Sequence, residues 1–127
     1  MLRPFPARRT AVLAMLLSLG AYAPAQAEPD RPASSAEQVG AESFRKYCVL
    51  CHGEKGDGKG PASHLYYPSP ANLTATRRTD DYIEKIIRLG GPAMGRSRAM
   101  PPWGKELNDE QIAGLLAYLR RIKVEQP

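Results

Sequence analysis

The chain has 127 residues, two cysteines and a formal net charge of +5 at pH 7. Three of its eighteen basic residues, Arg3, Arg8 and Arg9, lie at the extreme N-terminus with no acidic residue among the first 27. Without that segment the charge is only about +2, which removes the electrostatic support for a nucleic-acid role.

Residues 1–27 have the form of an export signal. The three arginines make a basic n-region, AVLAMLLSLGAYA over residues 11–23 is apolar, and Ala25-Gln26-Ala27 supplies the small-x-small pattern of a cleavage site after Ala27. The apolar run is too short to span a bilayer comfortably, so the mature chain is expected to be periplasmic, with no transmembrane anchor after cleavage. Removing 27 of 127 residues leaves 100, one small domain with a thin core of the kind that often recruits a disulfide, metal or cofactor. Residues 28–35, EPDRPASS, read as a flexible leader ahead of a domain spanning 36–127. Downstream there is no internal repeat and no sustained alternation of apolar and polar residues. The expectation is an all-α fold, with helices joined by glycine- and proline-rich loops.

The first predicted helix carries Gly40, Phe44 and Cys48 at intervals of four, hence along one side, and it leads into Cys48-Val49-Leu50-Cys51-His52. A Cys48–Cys51 disulfide would close too short a loop to be a useful staple. A zinc site lacks a second C-x-x-C pair, and a thioredoxin-like pair lacks its strand. C-x-x-C-H is instead the pattern for covalent attachment of a c-type haem: Cys48 and Cys51 would form thioethers to the two vinyl groups, and His52 would be the proximal axial ligand. One covalently bound haem c also accounts for the thin core, because a buried porphyrin supplies apolar area that the chain lacks.

The glycine-rich run GEKGDGKGP that follows is not a phosphate loop, since no strand precedes it and no Ser or Thr follows Gly58-Lys59-Gly60. Nor is it an EF-hand, since Asp57 lacks the other spaced acidic ligands. His64, on a polar loop twelve residues after His52, is a less favoured iron ligand than a solvent-facing histidine. Asn72-Leu73-Thr74 is formally a glycosylation sequon, read here as accidental. TDDYIEKIIRLGG predicts a middle helix capped by Thr79 and stopped by Gly90-Gly91, with Tyr82, Ile83, Ile86, Ile87 and Leu89 closing one side of the haem pocket.

For the distal axial ligand the mature chain offers Met94 and Met100. Met100 is preferred, because Pro101 and Pro102 stiffen the loop that would hold its sulfur, whereas Met94 lies in GGPAMGRSR, flexible by composition. Trp103 either donates its indole N–H to a haem propionate or packs beneath the Met100 loop. Arg77, Arg78, Arg96, Arg98 and Lys105 flank the haem-edge loops; steering of an acidic partner, pairing with propionates and plain solvation are all open for them. The last helix is predicted over NDEQIAGLLAYLRRIK, with Asn108 as N-cap, Gln111 completing a capping box, and Ile112, Leu115, Leu116, Leu119 and Ile122 as its apolar stripe.

Over residues 36–124 these features resemble the small monohaem class I cytochrome c family, through C-x-x-C-H and the MPPW methionine loop. The resemblance implies three main helices plus loops wrapped around the haem. It implies a close crossing of the terminal helices at Gly40, with Leu115 and Tyr118 against Gly40 and Phe44. It further implies that the Pro61 carbonyl accepts a hydrogen bond from His52, and that the segment PSPANLT lines the haem edge with Leu73 inward. The function expected is single-electron transfer between redox protein partners, as a monomer or as a subunit of a larger complex, and not enzymatic turnover. Two alternatives stay open: a dedicated cytochrome c subunit of a periplasmic dehydrogenase or oxidase, and a haem enzyme or gas sensor with an open sixth position.

Overall fold

The computed structural model describes residues 33–123, so the export signal over 1–27 and all but the last three residues of the 28–35 leader lie outside the described residues. Within them the chain is all-α, the cytochrome c fold: three long helices and one short turn of helix, with no strand among the described residues. The elements are α1 (Ser35–Tyr47), α2 (Val49–His52), a 3-10 turn at Ser63–Leu65, α3 (Asp80–Ala93) and α4 (Asp109–Ile122).

Each long helix starts where its sequence supplies a cap. Ser34 accepts a hydrogen bond from the Glu37 backbone N–H at 3.2 Å, and the Glu37 carboxylate accepts from the Ser34 N–H at 2.8 Å, a reciprocal box that begins α1 inside the expected leader. Asn108 and Gln111 make the same box for α4 at 2.8 and 3.0 Å. Thr79 caps α3 by accepting from the Tyr82 N–H. In α4, Asp109 and Glu110 occupy the first turn and Arg120 and Arg121 the last, each sign at the end of the helix dipole that favours it.

α3 departs from its expected form at the C-terminal end. Gly90 leaves helical geometry at φ 78° and ψ 170°, and one further turn follows before the cap at Met94. Leu89, expected to face the pocket, is instead 54% exposed. Helical phase explains this: Ile83 and Ile87 are four apart and share the buried face, while Leu89 lies about 200° around from Ile87.

α1 and α4 cross at Gly40. A methyl group built on Gly40 would overlap the carbonyl of Gly114, and one on Gly114 would come within 2.8 Å of the Ala36 carbonyl oxygen, so the two backbones touch with no side chain between them. Beside the crossing, Phe44 meets the Tyr118 ring at a centroid distance of 5.2 Å. Phe44, Ile112 and Leu115 are each only 1% exposed. Burial of that completeness contributes roughly 1.5–3 kcal/mol per side chain. The polar side of the same helix pair is closed by Arg121, which donates to the buried Glu37 carboxylate at 3.1 Å.

Candidate haem site

The α1–α4 pair forms the floor of an apolar cavity of about 410 Å³, walled on one side by α2 and on the other by α3 and the loop leading to α4. That volume falls in the ordinary range of small-molecule and cofactor sites. Cys48, Cys51 and His52 line it, and so do Leu73, Met100 and Trp103 from distant parts of the chain. Phe44, Ile83, Ile86, Ile87, Leu115 and Leu119 supply much of its apolar surface.

The motif is presented by a break between helices. Cys48 is the C-cap of α1, its N–H still bonded to the Phe44 carbonyl at 2.9 Å, and it is at once the N-cap of α2. Both thiols are free and half-buried. Burial, with Cys51 adding, pushes the Cys48 thiol up to about 12, so it stays protonated at neutral pH.

His52 Nδ1 lies 3.0 Å from the carbonyl oxygen of Ala71. A carbonyl only accepts, so Nδ1 carries the proton and Nε2 keeps its lone pair. Burial lowers the His52 pKa, with the Ala71 bond acting in the other direction, and the neutral ring is the form that ligates a metal.

Ala71, and not Pro61, therefore stands opposite the imidazole; Pro61 is exposed and absent from the cavity wall. The reason lies in how the two loops are tied. Gly60 N–H bonds to the Cys51 carbonyl at 3.1 Å and Ala62 N–H to the Leu50 carbonyl at 2.9 Å, which holds the Gly60–Ala62 stretch against the backbone of α2. Segment 70–73 is brought to His52 by Gly58, at φ 82°, where any Cβ would press on the Pro70 carbonyl oxygen at 2.6 Å, and by Leu73 N–H bonding to the Gly56 carbonyl at 2.7 Å.

The Met100 segment is anchored mainly through Gly91, whose N–H donates to the Met100 carbonyl and whose carbonyl accepts from the Arg96 N–H, both at 2.8 Å. Beyond the prolines, Trp103 N–H donates to the Ile87 carbonyl at 2.8 Å, and the indole packs on Tyr47 with centroids 5.2 Å apart. Met94 is the cap residue of α3 and His64 is exposed on the 3-10 turn; neither lines the cavity. Of the basic residues singled out, Arg78 and Arg96 reach the cavity wall, whereas Arg77, Arg98 and Lys105 do not.

The donor set fits a covalently held haem. Two thiols and an imidazole with a free Nε2 stand on one wall, a thioether lies in the opposing segment, and the lining between them is apolar. Zinc finds no comparable set, since no group of three or more His, Cys, Asp or Glu side chains gathers among the described residues. No helix among them is long and apolar enough to cross a membrane.

Residues 35–119 match the family model described as cytochrome C oxidase, cbb3-type, subunit III. Cytochrome c-554(548) of Halomonas halodenitrificans is 39% identical over 74 residues, which cover 56% of this chain and 78% of that protein. The cytochrome c subunit of the quinone alcohol dehydrogenase of Gluconacetobacter polyoxogenes is 28% identical over 104 residues, 78% of this chain but only 22% of that subunit. Among solved structures, a chain of the Kuenenia stuttgartiensis reducing HAO-like protein complex superposes with a TM-score of 0.58 at 33% identity, covering 68% of this chain and 42% of the other.

Proposed function

We propose that this chain, which belongs to the cytochrome c family through its cbb3-type subunit III match over residues 35–119, is a monohaem electron carrier of the periplasm. Membership implies haem c as the covalent cofactor; a single haem, export and the free-carrier role are the parts proposed. The observation that carries the reading is that Cys48, Cys51, His52 and Met100 all line one apolar cavity.

When bound, haem c supplies a one-electron Fe(III)/Fe(II) couple. The protein's own part is to hold and insulate it. Cys48 and Cys51 would anchor the macrocycle and His52 Nε2 would face the iron, with the Ala71 carbonyl fixing the ring through Nδ1. Met100 would fill the sixth position and favour the reduced state. Ile83, Ile87 and Leu115, all buried, line the pocket and keep water from it.

A second reading, a dedicated subunit of a larger oxidoreductase, draws support from the similarity to a dehydrogenase cytochrome subunit and from three exposed apolar side chains, Leu50, Leu65 and Tyr67. Production of the full chain in a host with a cytochrome c maturation system tests the proposal. The purified protein should have the mass of residues 28–127 plus one haem, and should run as a monomer. An unprocessed N-terminus, a haem-free chain, or a stable complex with a larger native partner would each remove one component of the proposal.

A further inference from the structure

At the rim of the cavity, Tyr82 is held by two arginines from different loops. The Arg78 guanidinium, just before the α3 cap, stands over its ring at 4.9 Å from the centroid. Arg96, between α3 and Met100, donates from Nε to the Tyr82 hydroxyl oxygen at 3.0 Å. All three residues line the cavity together with Met100. Among the described residues, Arg96–Tyr82 is the one side-chain hydrogen bond that ties segment 94–102 to another element; the segment's other hydrogen bonds there are to Gly91, to Pro92 or within the segment itself.

We infer that Tyr82 and Arg96 are positioning residues for Met100, a clasp that keeps the methionine segment closed over the haem and so sets how readily the sixth ligand lets go. The inference rests on Met100 being that ligand. The Gly91 anchors hold the ends of the segment but act through its own base, and a segment anchored at its base alone opens as a flap. Arg96–Tyr82 fastens the segment to the first turn of α3, more than two helical turns before Gly91. Arg78 acts only through the ring, holding Tyr82 in place by a cation–π contact.

The test is the rate at which imidazole replaces the methionine in the oxidised holoprotein, followed by loss of the methionine–iron charge-transfer absorption, with amide hydrogen exchange of residues 91–100 as an independent readout. Tyr82→Phe keeps the ring and removes only the hydroxyl. It should raise the replacement rate about three- to tenfold, the equivalent of one net hydrogen bond, and increase exchange in the segment. Arg96→Ala should do the same, while Arg98→Ala, which removes a neighbouring charge and leaves the Arg96–Tyr82 bond in place, should not. Rates in Tyr82→Phe and Arg96→Ala equal to the parent's, with the charge-transfer absorption present in the parent and missing from Met100→Ala, would overturn the clasp and leave the ligand assignment intact. A parent protein without the charge-transfer absorption would instead overturn the assignment of Met100 itself.

Discussion

Gly40 on α1 and Gly114 on α4 meet backbone to backbone, and the site depends on that meeting. The crossing sets Phe44 and Leu115 at the floor of the cavity and leaves Cys48 one helical turn beyond Phe44, at its edge.

Gly40→Ala should therefore be among the most damaging single-methyl changes in the protein. The added carbon collides with the Gly114 carbonyl, a backbone atom that cannot swing aside, and overpacking of this kind costs about 3 kcal/mol or more. Gly114→Ala meets its nearest atom at 2.8 Å and should cost less. Urea unfolding of the two holoproteins measures the difference; equal midpoints with the parent would show that the crossing yields.

His52→Ala should abolish stable haem incorporation. The variant loses the one imidazole on the cavity wall, and the chain that remains has a core of only a few fully buried side chains. Haem staining of the purified variant, with circular dichroism of the product, checks this; a folded, fully loaded protein would contradict it.

Met100→Ala should lower the reduction potential, by on the order of 100 mV within the roughly 0.8 V that axial ligation spans. Met94→Ala should leave it unchanged, because Met94 is an α3 cap residue off the cavity wall. Redox titration of both variants separates them, and a shift in the Met94 variant alone would reverse the assignment.

Trp103 distinguishes packing from hydrogen bonding. If the ring acts through its contact with Tyr47, Trp103→Phe should cost about 1 kcal/mol and Trp103→Ala about 3, since the smaller ring keeps most of the aromatic contact. Thermal unfolding should rank the two that way. Equal losses would point to the indole N–H as the group that matters.

What the sequence reveals here is what acts locally. Thr79, Asn108 and Gln111 cap helices through residues three positions away, and the α4 stripe and C-x-x-C-H are readable as spacing alone. The Ser34 cap is equally local, since Ser-x-x-Glu is a capping signal, but the prolines and serines around it read as a leader and mask it. Other features depend on contacts distant in sequence. The Ala71 carbonyl faces His52 across 19 residues, because two glycine-bearing loops close together; nothing in Ala71 itself announces the role. Tyr82 and Arg96, 14 apart, read in the sequence only as a pocket aromatic and a charge flanking a haem-edge loop, with nothing to pair them. Leu89 shows the opposite failure, an apolar residue counted with its neighbours without regard to helical phase.

The measurement closest to the central claim is a carbon monoxide difference spectrum of the purified, dithionite-reduced holoprotein. With His52 and Met100 on the two sides of the iron, addition of the gas should produce no spectral change. A rapid, stoichiometric change would mean that the sixth position is open or labile, and the carrier reading would give way to a ligand-binding haem protein.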